Sequence, residues 1–402
     1  MDKLTIDDID LSGKRVLVRV DFNVPLIDGR VADDTRITAA IPTIQKIISS
    51  GGSAILMSHL GRPKGKPNPS MSLKPAAERL SRLMGKPVLF AEDCIGKTAA
   101  KAAKRLSAGE ILLLENLRYH EQEEKNDPDF ARELSKLGDL FINDAFGSAH
   151  RAHASTEGIT KFMQTAAAGY LMKKELDYLG MALDDPARPL IAILGGAKIS
   201  GKIEVISNLL DKVEALLIGG GMAFTFLKAR GFEIGKSLLE NDKISEAANI
   251  MTLAETRKVD LILPIDVITT PDIEAIPPRM ETMMAAGMRG DGIGVDIGPK
   301  TIERFDKIIR SAGTVIWNGP MGIFEKQPFA RGTFEIARIL AEATDNGCVS
   351  IVGGGDSASA VSSAGLADRI SHVSTGGGAS LEFLEGKILP GVAALTPRRA
   401  AK

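Results

Sequence analysis

The chain is a repeated succession of an apolar run, a polar or glycine-rich turn, and a segment with helical periodicity. The apolar runs of the first half cover residues 15–20, 54–57, 88–90, 111–114 and 140–143. Those of the second half cover residues 190–194, 215–218, 260–263, 314–317, 348–352 and 369–374. Strands that alternate with helices pair in parallel, because each helix carries the chain back across the sheet. The pattern predicts an α/β fold whose parallel sheets are covered by helices on both faces.

The length of 402 residues exceeds what one compact domain usually holds. We therefore expect two doubly wound, Rossmann-like parallel-sheet domains joined by a helical hinge. Residues 171–189 are the expected hinge, because leucines recur there at helical spacing before two prolines end the pattern. The first domain is then expected at residues 1–170 and the second at residues 190–384. Residues 385–402 form a C-terminal segment that we expect to return to the first domain.

Composition narrows the class of function. Lys and Arg number 50 against 51 Asp and Glu, which argues against nucleic acid as the main partner. The sequence contains no run of 18 apolar residues, and residues 1–12 lack the apolar core of a signal peptide, so we expect no membrane association. Two cysteines are too few for a thiolate metal cluster. A reducing compartment, and thus a cytoplasmic location, is expected.

Cationic side chains follow the expected strands of the first half where those strands end. Ligands of parallel sheets bind beyond the carboxyl ends of the strands, and arginine binds carboxylate and phosphate groups through paired hydrogen bonds. The residues at these ends are Asp21, Asn23, His59, Arg62, Arg118 and Arg151, and Arg36 opens the helix after the first strand. One arginine alone is explained as a solvated surface charge, but four that converge predict a small, multiply anionic substrate. His150 and His153 lack a further ligand nearby, which favours structural roles over a metal site.

Glycines follow the expected strands of the second half. Gly353-Gly354-Gly355-Asp356-Ser357 comes after the run 348–352 and opens into a helical segment. Glycine lets the backbone approach a ligand, and the first amides of a helix favour an anion. With Asp356 as ligand for a divalent cation, the stretch predicts a metal–nucleotide phosphate site. Taken alone, it is somewhat better explained as a tight turn capped by Asp356 or Ser357. The recurrence of glycine after the other strands favours the ligand site.

Lys198 and Lys202 are candidate phosphate-binding cations in this half. Residues 196–202 nearly match a P-loop, but Ile203 stands where the motif requires the Ser or Thr that binds magnesium. A complete dinucleotide fingerprint is also missing from the strand–helix units, so a nicotinamide dehydrogenase is poorly supported.

In combination, these motifs resemble the phosphoglycerate kinase family over about residues 4–395. The blocks that carry the resemblance are residues 18–25, 58–63, 115–119, 143–156, 195–198, 317–320, 353–356 and 374–384. Tyr119 and Ser357 stand where the family also has Phe and Thr. The resemblance implies a reversible step of glycolysis and gluconeogenesis, in which 1,3-bisphosphoglycerate and MgADP give 3-phosphoglycerate and MgATP. It also implies a monomer, and catalysis by domain closure and charge stabilisation.

The resemblance also implies roles for individual residues. Those expected to bind the three-carbon acid are Asp21, Phe22, Asn23, Arg36, His59, Leu60, Gly61, Arg62, Arg118 and Arg151. Those expected to bind the nucleotide are Lys202, Gly294, Asn318, Glu325, Gly354, Gly355, Asp356 and Ser357, with Asp356 as the Mg²⁺ ligand. Those expected to face the phosphoryl group in transit are Arg36, Lys198, Gly354 and Gly377. A two-domain protein that binds a small anionic metabolite and a nucleotide without catalysis is the alternative. It does not by itself explain a separate glycine-lined site that carries Asp356.

Overall fold

The computed structural model describes residues 2–288 and 290–398, and it divides the chain into two compact units. The first unit holds the described residues up to Asp177 together with those from Ile388 onward, and the second holds Tyr178–Lys387. Helix α6 (Tyr170–Asp184) contains the point at which the chain passes from the first unit to the second. Among the described residues, none of the helices is long and apolar enough to cross a membrane.

The first unit is built on a six-stranded parallel sheet. The strands of this unit are β1 (Arg15–Arg19), β2 (Leu26–Ile27), β3 (Arg30–Val31), β4 (Ser53–Met57), β5 (Val88–Ala91), β6 (Ile111–Leu114), β7 (Leu140–Asn143) and β8 (Ala166–Ala168). The sheet has the order β5-β6-β4-β1-β7-β8, and β2 and β3 form a separate antiparallel hairpin. Strand β1 lies inside the sheet, with Val18 paired to Leu56 on one side and Ile142 on the other. Its residues Val16, Leu17 and Val18 are fully buried, so both faces of the sheet are covered.

Helices cover this sheet. They are α1 (Thr35–Ser49), α2 (Lys74–Met84), α3 (Gly96–Lys104), α4 (Glu121–Glu124), α5 (Pro128–Ser135) and the short C-terminal helix α14 (Pro390–Ala393). Helix α1 buries Ile37, Ile44 and Ile47 at helical spacing, which fixes the face that packs on the sheet. The Asp33 carboxylate accepts hydrogen bonds from the Thr35 amide and hydroxyl at the start of α1.

The C-terminal segment packs onto the first unit. The Leu4 amide donates to the Thr396 carbonyl at 2.9 Å, and the Asn143 side chain donates to the Gly391 carbonyl at 3.2 Å. Because Asn143 ends β7, the segment is anchored directly to the central sheet.

The second unit is built on another six-stranded parallel sheet. The strands of this unit are β9 (Leu190–Leu194), β10 (Ala215–Ile218), β11 (Asp260–Ile262), β12 (Asp266–Thr270), β13 (Glu281–Met284), β14 (Ile293–Ile297), β15 (Thr314–Asn318), β16 (Val349–Gly353) and β17 (His372–Val373). The parallel sheet has the order β11-β10-β9-β15-β16-β17. The helices are α7 (Ile203–Leu209), α8 (Met222–Ala229), α9 (Ile244–Thr256), α10 (Pro299–Arg310), α11 (Arg331–Asp345), α12 (Gly355–Ser363) and α13 (Gly378–Leu384). Two parallel α/β sheets, one in each unit, confirm the predicted fold class.

A three-stranded antiparallel sheet, β13-β12-β14, is an addition to the second unit that the sequence pattern did not predict. Strand β13 is largely exposed, so its residues show no apolar periodicity. Strand β14 contains Gly294 and the buried Asp296, both atypical of a strand. This sheet supplies one wall of the cavity described below.

Candidate active site

The strands of the first unit that end in the predicted site residues are neighbours in the sheet. Asp21 and Asn23 follow β1, His59 and Arg62 follow β4, and Arg118 follows β6. Since the order is β6-β4-β1-β7 and all pairs are parallel, these carboxyl ends lie side by side at one edge. The residues predicted to form the crevice therefore follow neighbouring strand ends at this edge.

Hydrogen bonds link several of the predicted residues. Arg36 Nη1 lies 3.1 Å from Asp21 Oδ2 and donates to the Asn23 carbonyl at 3.2 Å. The Gly61 amide donates to Asn23 Oδ1 at 2.9 Å, and its carbonyl accepts from Arg118 Nη1 at 2.9 Å. The structure thus brings Asp21, Asn23, Arg36, Gly61 and Arg118 into one network. Arg118 is buried, whereas Arg36 keeps 37% of its side chain exposed.

Two predicted contact residues have structural roles in this edge. Phe22 is fully buried, and its amide donates to the Ser58 hydroxyl at 2.8 Å. The backbone of Leu60 is held by the buried side chain of Asn116. This side chain accepts a hydrogen bond from the Leu60 amide at 3.2 Å and donates one to the Leu60 carbonyl at 2.7 Å. Asn116 therefore shapes the loop after β4.

Arg62 and Arg151 are exposed and remain available to a ligand. Arg151 Nε donates to His150 Nε2 at 3.1 Å. Among the described residues, no hydrogen bond or ion pair engages the Arg62 side chain. The pKa of Arg118 is lowered chiefly by burial, and the positive charges of Arg151 and Arg62 lower it further. Positive charge is therefore concentrated at this edge.

Arg19 is a fully buried cation beneath the crevice that the sequence reasoning did not single out. Its Nη2 lies 3.1 Å from His59 Nδ1. A guanidinium only donates, so Nδ1 accepts and the proton of the neutral imidazole is on Nε2. Burial and the charges of Arg19, Arg118 and Arg36 hold the pKa of His59 well below its usual value. His59 is therefore a neutral donor through Nε2.

Glu123 is the buried countercharge of Arg19, and sequence reasoning also missed it. Ser155 joins the two: its hydroxyl accepts from Arg19 Nε at 2.8 Å and donates to Glu123 Oε1 at 2.6 Å. The Ser155 amide also donates to Glu123 Oε2 at 3.0 Å. His153 lies 3.9 Å from Glu123 Oε1, and burial together with Arg19 and Arg118 lowers its pKa to about 3. His153 is therefore neutral and structural.

A cavity of about 400 Å³ opens in the second unit. Its walls are backbone and apolar side chains that follow β9, β10 and β15 and that belong to β14. The predicted residues Gly294, Glu325 and Asp356 line it. Gly294 has no room for a side chain, because an added Cβ would lie 1.9 Å from Phe224 Cζ. The cavity thus has an apolar body with a few carboxylates at its boundary, as small-molecule sites typically do.

The turn after β16 borders this cavity. Gly354 has a φ of 89°, which favours glycine, and α12 begins at the next residue. Ser357 is fully buried, and its hydroxyl accepts from the Gly319 amide at 2.6 Å, so its side chain holds two turns together. Asn318 is also buried, and its Nδ2 has no hydrogen-bond partner among the described residues. Gly355 and Asp356 are the first two residues of α12, where backbone amides lack partners within the helix.

Lys202 and Lys198 lie in the segment after β9. Burial lowers the pKa of Lys202 to about 8, although the nearby carboxylates of Asp356 and Glu385 oppose the shift. The structure therefore places Lys202 near Asp356. Lys198 is exposed. Its loop is fixed by Glu240, which accepts from the Ile199 amide at 2.6 Å and was not predicted.

Gly377 and Asp296 occupy two further positions in this unit. Gly377 has a φ of 52° and directly precedes α13, and it is not among the residues that line the cavity. Asp296, which was not predicted, lines the cavity and accepts from the Gly332 amide at 2.6 Å. Burial raises the pKa of Asp296 to about 7. In the sequence, Asp296 could have been recognised as unusual because it is a carboxylate between the apolar residues Val295 and Ile297.

Comparison with known proteins assigns the family. Residues 6–387 match the family model described as phosphoglycerate kinase. The phosphoglycerate kinases of Chlorobaculum tepidum and Chloroherpeton thalassium are 59% and 57% identical to this chain, over 98% of it and 100% of each relative. Solved phosphoglycerate kinase structures from Coxiella burnetii and Pyrococcus horikoshii match with TM-scores of 0.88 and 0.81 at 40% and 31% identity, each covering 98% of both chains.

The predicted ATP-dependent kinase activity is confirmed by these relatives, and a non-catalytic binding protein is not favoured. With a family model over nearly the whole length and relatives matched end to end, the chain belongs to the phosphoglycerate kinase family.

Proposed function

We propose that this chain carries out the phosphoglycerate kinase reaction with one substrate site in each unit. The first unit binds 3-phosphoglycerate or 1,3-bisphosphoglycerate at the crevice edge, and the second binds ADP or ATP in the cavity. The contrast between the two sites supports this division most strongly. One is lined by arginine and histidine side chains, and the other by glycine backbone and apolar side chains.

The crevice suits a three-carbon acid that carries a carboxylate and a phosphate. Arg62 and Arg151 are exposed and cationic, so they can pair with these groups directly. His59 adds a neutral donor, because Arg19 fixes its proton on Nε2. Arg118 is held by Gly61 and by Glu124, whose Oε1 lies 3.4 Å from its Nε, so its orientation is set before a ligand arrives. Such preorganisation lowers the entropy cost of binding.

The cavity suits a nucleotide. Its apolar body accepts a base, Glu325 at its boundary is proposed to accept from ribose hydroxyls, and Asn318 has a spare buried donor. The start of α12 and the Lys202 ammonium are proposed to bind the phosphates. Because the Ser357 hydroxyl already accepts from the Gly319 amide, Ser357 is proposed to support the phosphate-binding turn rather than to contact the nucleotide.

The donor set also fits Mg²⁺. This ion prefers oxygen ligands and is commonly held by one or two carboxylates together with substrate phosphates. Asp356 is exposed, lines the cavity and stands at the helix start proposed for the phosphates, so it is the proposed ligand. When bound with the nucleotide, Mg²⁺ neutralises phosphate charge.

Transfer is proposed to depend on positioning and charge. Arg36 from the first unit and Lys198 from the second supply positive charge to the phosphoryl group, with the amides near Gly354 and Gly377. Arg36 is held by Asp21 and yet remains partly exposed, which suits a group that must reach a ligand. Because reacting atoms must approach within about 3.5 Å, the two units are proposed to close when both ligands are bound, which also expels water.

Titration calorimetry on paired variants tests the division of sites. Arg62→Ala is expected to weaken 3-phosphoglycerate binding at least tenfold and to leave MgADP binding unchanged. Asp356→Asn is expected to show the reverse pattern. Matched controls are Arg82→Ala and Asp368→Asn, which remove exposed charges outside the proposed sites. Loss of both ligands in either variant, or equal losses in the controls, would contradict the proposal. A cytoplasmic location and a monomeric state stay predictions.

A further inference from the structure

Three side chains that can bind a metal meet at the edge of the first unit's sheet. Asp93 and Cys94 follow β5, and His120 follows β6 after a short 3₁₀ helix, so the three come from neighbouring parallel strands. Asp93 Oδ1 lies 2.8 Å from His120 Nε2. One ligand atom from each of the three residues lies within 4.8 Å of the other two.

We propose that Asp93, Cys94 and His120 form a binding site for a borderline divalent transition metal such as Zn²⁺. Thiolate and imidazole together select such a metal over Mg²⁺ or Ca²⁺. Three protein ligands leave a fourth tetrahedral position for water. Ligand atoms on one zinc ion lie roughly 3.3–3.8 Å apart, given bond lengths of about 2.0–2.3 Å, so shifts of about 1 Å would complete the site. This site is separate from the one proposed for Mg²⁺ at Asp356.

The surroundings favour a cation at this position. Cys94 is fully buried, and the carboxylates of Asp93, Glu123 and Glu115 all act on its sulfur. Negative charge from these carboxylates is unfavourable for a lone thiolate and favourable for a divalent ion. Binding forms a metal–sulfur bond and releases the thiol proton to solvent.

The three side chains of the site differ in their exposure to solvent. The Asp93 and His120 side chains are 46% and 26% exposed, while Cys94 is fully buried. An ion can therefore meet the carboxylate and the imidazole first and the sulfur afterwards. The His120 ring is held against Phe130, with ring centroids 5.3 Å apart, and the Cys94 amide donates to Asp93 Oδ1 at 2.7 Å. Such supporting contacts orient metal ligands.

Cobalt titration of the reduced full-length chain tests this proposal. Co²⁺ replaces Zn²⁺ in tetrahedral sites, and thiolate coordination gives a near-ultraviolet charge-transfer band that is independent of catalytic activity. We expect one equivalent of Co²⁺ to produce the band, Zn²⁺ to abolish it by competition, and excess Mg²⁺ to leave it unchanged. Cys94→Ser is expected to remove the band. Cys348→Ser, which changes the other buried cysteine, is expected to retain it.

His120→Gln keeps the proposal testable if Cys94→Ser fails to fold. This side chain is partly exposed, and the variant is expected to weaken Co²⁺ binding at least tenfold. A wild-type chain that shows no band would overturn the proposal and leave the Asp93–His120 contact as a link between two loops. A band that is lost in Cys348→Ser instead of Cys94→Ser, or unaffected by His120→Gln, would overturn it as well.

Discussion

Replacement of Ser155 by alanine tests whether the buried network beneath the crevice acts as a unit. The Ser155 hydroxyl is the link between two buried charges, with 2.8 Å to Arg19 Nε and 2.6 Å to Glu123 Oε1. Hydrogen bonds to charged groups contribute about 1.5–3 kcal/mol each, and the substitution leaves both partners buried without this link. Arg19 keeps its bonds to His59 and the Val20 carbonyl, so it cannot leave the site easily. We therefore expect Ser155→Ala to lower the stability of the first unit by about 3–5 kcal/mol.

Native-state hydrogen exchange of the β1 amides measures this loss. A chain with two units is not expected to unfold in one two-state step, so exchange within one strand is more direct than a global transition. Trp317 lies in the second unit, and the midpoint of its fluorescence transition is expected to move less than β1 stability does. The control is Ser135→Ala, whose exposed hydroxyl donates only to a helix carbonyl at 2.9 Å.

The same variant has a kinetic consequence. Because Arg19 fixes the proton of His59, loosening Arg19 is expected to raise KM for 3-phosphoglycerate more than it lowers kcat. A stability loss below about 1 kcal/mol, close to the effect expected for the exposed control, would refute the reasoning. It would mean that water replaces the hydroxyl at little cost.

Three further outcomes follow from the site. Arg36→Ala should lower kcat by roughly 100-fold or more, because that factor corresponds to a loss of about 3 kcal/mol of transition-state stabilisation. Calorimetry should show that its MgADP affinity stays within a few-fold of wild type. An unchanged kcat would mean that Arg36 is only a surface charge. MgADP affinity should fall as pH rises through about 8, because burial lowers the pKa of Lys202 to about 8 and only the protonated amine attracts phosphate. Titrations at several pH values should show this slope in wild type and not in Lys202→Met; a slope that persists in the variant would assign it elsewhere. In small-angle X-ray scattering, the radius of gyration should fall when 3-phosphoglycerate and magnesium nucleotide are added together, and fall less with either ligand alone. An unchanged radius with both ligands present, under conditions where the enzyme is active, would contradict the proposed closure of the two units.

The main strands were predictable because the interiors of the parallel sheets are apolar on both faces. Residues 15–20 and 190–194 illustrate this, since the central positions of β1 and all of β9 are buried. The hairpin β2–β3 does have a sequence signal, the pair Asp28-Gly29, which favours a two-residue hairpin turn. In the structure the two residues have the positive φ values, 50° and 72°, that such a turn requires. Within the run 369–374 only His372–Val373 forms a strand, β17, and Arg369 ends the 3₁₀ helix Ala367–Arg369.

The site was partly predictable for a similar reason. Asp21, His59 and Arg118 were predicted because they lie within four residues of the ends of apolar runs, and the strand order then brings those ends side by side. Arg19 lies two positions before Asp21, inside the apolar run, where its burial depends on tertiary contacts. Glu123 belongs to a polar and charged stretch that also contains exposed carboxylates, so its local sequence does not indicate that it is the one buried against Ser155.

The central claim is that each substrate binds to its own unit, and hydrogen–deuterium exchange with each ligand alone tests it most directly. With 3-phosphoglycerate only, exchange should slow in peptides that contain residues 21–23, 59–62 and 118. With MgADP only, it should slow in peptides that contain residues 195–202, 318–325 and 353–357. Protection that follows this division for both ligands would support the account. Protection of the second set by 3-phosphoglycerate alone, with the first set unaffected, would contradict it.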